Sequence, residues 1–129
     1  MLNKGVVIRK ISIDNGSKVR VGKKGLRKQM ITLRKKIKKN DPSSYIEIAT
    51  EKDLKGYHVH LLVHYQDEKN LLNQLSRYIG GDSWTEKKEG LKTITHCDGK
   101  YGEVDVHHLW GEQGFRGYIN KENPSETIW

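Results

Sequence analysis

Alternating apolar and polar positions mark most of the strands that this chain is expected to form. Side chains of an extended chain point to opposite faces in turn, so an apolar residue at every second position indicates a strand with one buried face. Two such runs flank Asn15-Gly16, a dipeptide that accepts the positive φ angles of a tight turn, and this predicts a β-hairpin. Other strands are predicted to begin at Val6 and to cover residues 45–51, 57–65, 91–97 and 102–110, with a polar loop at 80–90.

Apolar residues spaced by three and four positions predict the helices. A first helix is predicted over residues 23–39, with one apolar stripe formed by Leu26, Met30, Leu33 and Ile37. A second helix begins after Asp67 and ends at Gly80-Gly81, and a third is predicted from Gly111 to about Glu122. These elements predict an α+β protein with a basic N-terminal hairpin.

Length and composition limit the class of protein. With 129 residues the chain is expected to form one domain, residues 1–129. Cys97 is the only cysteine, which excludes an internal disulfide and a cysteine-based zinc cluster. No run approaches the roughly 20 apolar residues of a membrane span, and residues 1–4 do not open a signal peptide. A cytoplasmic protein with no membrane partner is therefore expected.

Positive charge is concentrated in the first third of the chain. Residues 1–40 contain 14 Lys and Arg against one acid, which gives +13, whereas residues 41–129 contain 10 against 15 acids, which gives −5. Such a basic segment is typical of a protein that binds a phosphate backbone, with an acidic protein or a membrane surface as the alternative partner. The residues expected to contact DNA are Lys18, Arg20, Lys23, Lys24, Arg27 and Lys28, with Trp84 either stacking on a base or covering the edge of the core.

Two histidines at alternate positions of one predicted strand carry the strongest chemical signal. His58 and His60 lie on one face of the strand at 57–65, about 7 Å apart at their backbones, so their imidazoles can converge on one metal ion. His64 lies about 13 Å beyond His60 and cannot join them without a bend. The pair therefore predicts part of a metal site.

Carboxylates on the neighbouring strand complete a candidate ligand set. A hairpin between 45–51 and the histidine strand brings Glu47 and Glu51 to the face that carries the histidines. Glu51 is the nearer of the two, and Glu47 is its rival. Two histidines and one glutamate suit a divalent ion that keeps water ligands and can bind phosphate oxygens. His107 is held in reserve as a ligand or a supporting residue.

Three segments together resemble the motifs of the HUH endonuclease superfamily, in particular the replication initiators (Rep) of small viruses and plasmids. They are the strand at 45–51, the His-hydrophobe-His motif within 56–63 and a Tyr-x-x-Lys motif within 117–121. The resemblance implies a single nuclease domain with a catalytic core at 45–122 and a basic part at 1–40. It also implies an α+β fold of the ferredoxin/RRM-like kind, with a central antiparallel sheet of about five strands, helices packed on one face and the metal on the other. The family's Thr-Leu-Thr motif has no clear counterpart here.

The resemblance implies a metal-dependent enzyme that nicks and rejoins single-stranded DNA at a replication origin. Mn²⁺ or Mg²⁺ would be held by His58, His60 and Glu51. Tyr118 would attack a phosphodiester to form a 5′-phosphotyrosine, and Lys121 would stabilise the phenolate or the phosphate, or protonate the leaving oxygen. A separate helicase is expected as a partner, and a homodimer would let two tyrosines act in turn.

Two other functions remain open from the sequence. The first is a single-tyrosine HUH transposase, because Glu122, four residues after Tyr118, resembles the metal ligand in that branch's terminal motif. The second is an RRM-like module that binds single strands without catalysis, although stacking aromatics are missing from its middle strands. Tyr101 is a further tyrosine that could serve as nucleophile.

Overall fold

The computed structural model of the chain describes residues 1–108 and 126–128. Within them the protein has an α+β fold with an eight-stranded antiparallel sheet and two helices. The strands are β1 (Leu2–Asp14), β2 (Ser17–Arg20), β3 (Tyr45–Asp53), β4 (Gly56–Tyr65), β5 (Thr85–Glu89), β6 (Lys92–Gly99), β7 (Gly102–His107) and β8 (Glu126–Ile128). The helices are α1 (Lys23–Asn40) and α2 (Glu68–Tyr78).

The sheet places β1 and β4 at its centre. The strand order is β5-β6-β7-β1-β4-β3-β8, and β2 pairs with the far end of β1. Every neighbouring pair is antiparallel. The chain passes through α1 between β2 and β3, and through α2 between β4 and β5, so each helix connects strands that are not adjacent in the sheet.

The N-terminal hairpin forms where it was predicted. Asn15 and Gly16 have φ angles of 48° and 79°, which is the positive φ at both central residues that a two-residue hairpin turn requires. The pairing of Asp14 with Ser17 closes the turn. The prediction of a hairpin from the Asn-Gly dipeptide is therefore confirmed.

The sheet is larger than the predicted five strands. Residues 80–90, predicted as a loop, contain the strand β5, whose residues are all exposed and which is held by backbone pairing with β6. The sequence of β5 has no alternation to reveal it, because neither of its faces is buried. The short strand β8 was also not predicted and adds a further edge beside β3. The predicted helix at 111–122 and the last two residues of the strand predicted at 102–110 lie outside the described residues.

Both helices pack on the same face of the sheet, as predicted. This surface is called the helix face, and one buried cluster joins α1, α2 and the central strands there. Fully buried members of the cluster include Val6, Ile8, Met30, Val59, Leu61, Leu71 and Leu75. Burial of such a side chain contributes roughly 1.5–3 kcal/mol, so this cluster is the main source of stability. Neither helix in the described part of the chain is long and apolar enough to cross a membrane.

The opposite surface of the sheet is called the histidine face. It carries the strand residues that alternate in sequence with those of the helix face. Because side chains alternate along a strand, His58 and His60 point away from the side of β4 that carries Val59 and Leu61. Glu51 of β3 pairs with His58 and therefore lies on the same surface. The sheet thus separates the hydrophobic core from the candidate chemistry.

Candidate metal centre

The three predicted metal ligands come together on the histidine face. The Nε2 atoms of His58 and His60 are 3.0 Å apart. Oε2 of Glu51 lies 3.0 Å from Nε2 of His60 and 3.7 Å from Nε2 of His58. Ligands that lie about 2.1 Å from an octahedral ion are about 3.0 Å from their neighbours, so these atoms fit adjacent positions around one ion. The donor set therefore suits a divalent cation.

A tight hairpin produces this arrangement. Only residues 54–55 lie between the paired residues Asp53 and Gly56. This turn sets the register that places Glu51 directly opposite His58. Opposite residues in an antiparallel pair have Cβ atoms about 4.5–5.5 Å apart, so the two side chains meet without a change in the backbone. The short spacing between Glu51 and His58 in the sequence is what brings the acid to the histidines.

Asp53 holds the other side of the His58 ring. Oδ2 of Asp53 lies 2.7 Å from Nδ1 of His58 and 3.0 Å from Nη1 of Arg20. Partial burial acts to raise the pKa of Asp53, but hydrogen bonds from the Lys55 backbone N–H, Arg20 and His58 hold that pKa at about 2. An ionised carboxylate only accepts hydrogen bonds, so Nδ1 of His58 donates to Asp53, and in the neutral ring Nε2 then presents its lone pair to the ligand group.

His60 is neutral in this environment. Burial lowers its pKa to about 4, and nearby His58, Arg9 and His107 act in the same direction. The neutral imidazole is the form that binds metal ions. His60 therefore needs no loss of a proton at neutral pH to serve as a ligand.

Arg9 places a positive charge on the histidine face beside the ligand group. It lies on β1 between Val7 and Ile11, and its Nη1 is 3.2 Å from Oδ2 of Asp105 and 3.6 Å from Oε1 of Glu103. The Arg9 side chain is 33% exposed, so part of its guanidinium remains accessible. A guanidinium in this position can bind a phosphate oxygen while it keeps one carboxylate contact.

A second group of possible ligands lies on the other half of the sheet. His96, Asp98 and Glu103 have donor atoms within 4.8 Å of one another. Burial acts to lower the pKa of His96, but its contacts with Asp105 at 2.5 Å and Asp98 at 3.0 Å raise it above the usual value. These carboxylate contacts favour the protonated ring, which competes with metal binding, and Arg9 already contacts Glu103. We interpret this group as a network of ion pairs.

The reserve ligands have other surroundings in the structure. Oε2 of Glu47 lies 2.9 Å from Nε2 of His64, and the Tyr45 ring stacks on His64 with ring centroids 4.1 Å apart. Glu47 thus belongs to a separate buried pair. His107 is close enough to influence His60 but lies on β7, two strands from β4. Neither residue is in the group that Glu51 forms with the histidines.

The basic residues predicted to contact DNA differ in their availability. Arg20 is engaged by Asp53 and by the carbonyl oxygen of Tyr57 at 3.2 Å. Arg27 forms a bidentate ion pair with Glu126. The members of the set that are exposed and form none of these contacts are Lys18, Lys23, Lys24 and Lys28; Arg27 is exposed as well, despite its ion pair. Two of the predicted DNA contacts therefore also have structural partners.

Trp84 is partly buried and packs against the core cluster. This packing is the second of the two roles considered for it, in which the ring covers the edge of the core. An indole in that position has less of its face available for stacking on a base.

The predicted nucleophile lies outside the described residues. Tyr118, Lys121 and the alternative ligand Glu122 all fall within 109–125. Tyr101 is described and lies in the turn before β7, with its ring 5.5 Å from Nζ of Lys10 on the helix face. Tyr101 is therefore on the side of the sheet away from the ligand group.

Two residues of the centre were not identified from the sequence. Asp53 was assigned to a loop, although it shares the parity of Glu51 and would face the histidines if the strand continued. Arg9 is two positions after Val7 on β1, so both side chains point to the same face of the sheet. The pairing of β1 with β7 shows where Arg9 lies on that face. In both cases the alternation of side chains along the strand could have placed the residue on the histidine face. The sequence did not show how far each strand continues.

Comparisons with known proteins do not add a family. The chain was compared with family models, with curated proteins and with solved structures, and none of them matches it.

Proposed function

We propose that this protein is a metal-dependent endonuclease of the HUH type that nicks and rejoins single-stranded DNA, as a replication initiator does. The observation that supports the proposal most is the group of His58, His60 and Glu51 with Asp53 behind it. A histidine that donates to a carboxylate while it faces a ligand group is the arrangement that metal sites use to fix the ring. A purely structural set of sheet residues has no need of it.

The ligand set suits Mn²⁺ better than Mg²⁺. Mg²⁺ sites are built from oxygen ligands, whereas two of the three donors here are imidazole nitrogens. When bound, the ion would polarise the scissile phosphate and neutralise the charge that develops on it. His58, His60 and Glu51 would hold it.

Tyr118 is the proposed nucleophile. Its phenol oxygen forms a bond to the phosphorus as the bond from phosphorus to the 3′ oxygen breaks, which leaves a 5′-phosphotyrosine and a free 3′ hydroxyl. The phenol proton must leave, because a phenol of ordinary pKa near 10 is protonated at neutral pH. Lys121 is proposed to stabilise the phenolate or to protonate the leaving 3′ oxygen. The reverse attack by a 3′ hydroxyl restores the strand.

Arg9 is proposed to orient the phosphate next to the ligand group. Its guanidinium is partly accessible on the histidine face and already makes charge-assisted contacts with Asp105. The exchange of one such contact for a phosphate oxygen needs no movement of the strand. Arg9 is therefore a positioning residue in the proposed complex.

The order of the core elements supports the finer fold proposal. Strands β7, β1, β4 and β3 are consecutive in the sheet, as in the ferredoxin/RRM-like arrangement. The helix α1 lies in the chain between β1 and β3, which flank β4, and α2 lies between β4 and β7, which flank β1, with β5 and β6 as additional strands before β7. Single-stranded DNA, a separate helicase and a homodimer are proposed as partners on the basis of the resemblance described above.

Cleavage of single strands in the presence of Mn²⁺ tests the proposal. A pool of end-labelled single-stranded oligonucleotides is incubated with the full chain, with and without EDTA, and the products are separated by size. We expect discrete Mn²⁺-dependent products with free 3′ hydroxyls, lost in His58→Ala and His60→Ala and retained in His108→Ala, whose side chain lies outside the ligand group. Binding of the pool without cleavage under any divalent metal would support the binding module instead.

A further inference from the structure

A basic cleft lies on the helix face, between α1 and α2. Its volume is about 740 Å³, and Leu33, Gln74 and Tyr78 contribute to its walls. Lys10 of β1 reaches it from below, because Lys10 has the parity of the buried Val6 and Ile8. The cleft is therefore on the opposite side of the sheet from the candidate metal centre.

The cleft carries an unusual concentration of positive charge. Five of its eleven lining residues are cations and none is an acid: Lys10, Lys28, Lys36, Lys39 and Arg77. Within the described part of the chain, none of these five forms an ion pair. By contrast, Lys4, Arg9, Arg20 and Arg27 elsewhere on the surface each contact a carboxylate. Cations left without acids repel one another and attract anions.

Lys10 contacts Tyr78 at the floor of the cleft. Its Nζ donates to the carbonyl oxygen of Tyr78 at 2.7 Å and lies 4.0 Å from the centre of the Tyr78 ring. Burial lowers the pKa of Lys10, and the charge of Lys36 acts in the same direction. Lys10 is thus held at the floor of the cleft, close to Lys36. Its contacts with Tyr78 leave both positive charges without a neutralising acid.

The cations of α1 form a row that suits a regular polyanion. Lys28, Lys36 and Lys39 line the same side of the helix. At 1.5 Å per residue they extend over about 16 Å, which is the rise of about five base pairs at 3.4 Å. Arg77 lies across the cleft on α2 and provides charge on its second wall.

From this geometry we infer that the cleft between α1 and α2 binds the phosphate backbone of double-stranded nucleic acid. The protein then has two nucleic-acid surfaces on opposite faces of one sheet, a metal centre for a single strand and a cleft for a duplex. The inference does not rest on the proposed nicking activity, because it uses none of the residues of the metal centre.

A duplex fits the cleft better than a single strand. Proteins that hold single strands stack the bases on exposed aromatic rings. The only aromatic residue among the lining residues is Tyr78, whose ring is covered by Lys10 and whose hydroxyl donates to Gln29 at 2.5 Å. Contacts to phosphate alone require no access to the bases, which are stacked inside a duplex.

Two variants with the same change in charge test this inference. The first replaces Lys28, Lys36, Lys39 and Arg77 with Gln. The control replaces Lys52, Lys69, Lys87 and Lys88, which are exposed and lie outside the cleft. Binding of a fluorescent 20-base-pair duplex is measured by polarisation over a series of salt concentrations, and circular dichroism checks that each variant folds.

The cleft variant is expected to bind the duplex at least about tenfold more weakly at low salt. The slope of log affinity against log salt should fall by up to about 3.6, because four cations are removed and each phosphate contact contributes about 0.9. The control should keep nearly the wild-type slope. Affinity for Mn²⁺ should be the same in the wild type and both variants. A wrong inference about the cleft can therefore be told apart from a wrong proposal about the metal centre.

Three results would overturn the inference. One is a cleft variant with the affinity and salt slope of the control. Another is displacement of the duplex from the wild-type protein by inorganic phosphate or tripolyphosphate at matched ionic strength, because the cleft would then be a pocket for small anions. A greater loss of single-strand binding than of duplex binding in the cleft variant would also contradict it.

Discussion

Oδ2 of Asp53 lies 2.7 Å from Nδ1 of His58, and this contact fixes which nitrogen of the ring faces the ligand group. The same carboxylate oxygen accepts a hydrogen bond from Arg20 at 3.0 Å. A basic residue of the N-terminal hairpin therefore supports a residue of the candidate metal centre through one carboxylate. The hairpin contributes to the site as well as to the charge of the surface.

Replacement of Asp53 with Ala should weaken metal binding. Without the carboxylate, the His58 ring loses the partner that fixes its orientation and tautomer, and such losses typically cost about 10–100-fold in metal affinity. Isothermal titration calorimetry with Mn²⁺ measures the effect. Asp14→Ala, at an exposed position of the hairpin turn, is the control and should bind as the wild type does. Equal affinities for the two variants would remove Asp53 from the centre.

The same calorimetric titration with Mn²⁺ should distinguish the two glutamates of β3, because only Glu51 is expected to be a metal ligand. Glu51→Gln removes a charged ligand and should reduce Mn²⁺ affinity by at least about tenfold. Glu47→Gln should leave Mn²⁺ affinity within about threefold of the wild type, because Glu47 contacts His64 instead. Loss of that buried charged hydrogen bond should instead lower the free energy of unfolding by about 1.5–3 kcal/mol. A larger loss of Mn²⁺ affinity in the Glu47 variant than in the Glu51 variant would mean that Glu47 is the metal ligand and Glu51 is not.

The core of the centre could be predicted because it depends on local patterns. The positions of His58 and His60 follow from alternation within one strand, and that of Glu51 from one hairpin. Asp53 was missed because a two-residue turn and a longer loop look alike in the sequence at Asp53–Gly56, and only the turn keeps Asp53 in the strand.

Features that depend on distant pairing could not be predicted. Strand β5 is polar and exposed on both faces, so only its pairing with β6 identifies it. Arg27 looked free for DNA, yet its partner Glu126 is 99 residues away in the sequence. The cleft between α1 and α2 likewise requires the helix packing, because its walls come from two helices and its floor from β1.

His96 should make stability depend on pH. Its contacts with Asp105 and Asp98 raise its pKa in the folded state, against the effect of burial. The protonated ring therefore stabilises the fold fully below its unfolded pKa of about 6.5, and this contribution disappears as the pH rises through the folded pKa. The difference in Tm between the wild type and His96→Gln should be larger at about pH 6 than at about pH 9. A difference that is constant or grows with pH would show that His96 is neutral. Arg9 and Glu103 are further charged residues near His96. The His96→Gln variant keeps both of them, so the comparison isolates the charge of His96.

Gly99 should not tolerate a side chain. A Cβ atom there would lie 2.1 Å from the carbonyl oxygen of Ile79 and 2.7 Å from the backbone nitrogen of Gly81, and neither backbone atom can move alone. Gly99→Ala should lower the free energy of unfolding by about 3 kcal/mol, measured by urea denaturation. Gly22→Ala is the control, because a Cβ there meets nothing within 4 Å, and it should stay within about 1 kcal/mol of the wild type. Equal stability of the two variants would mean that the turn after α2 packs differently.

A covalent bond between Tyr118 and DNA is the most direct test of the proposed nuclease. The full chain is incubated with labelled single-stranded oligonucleotides and Mn²⁺, boiled in detergent and separated by electrophoresis. We expect a labelled band that migrates with the protein, that disappears with EDTA or in Tyr118→Phe, and that persists in Tyr101→Phe. Absence of such a band with every divalent metal, or its persistence in Tyr118→Phe, would show that Tyr118 is not the nucleophile of a metal-dependent nuclease.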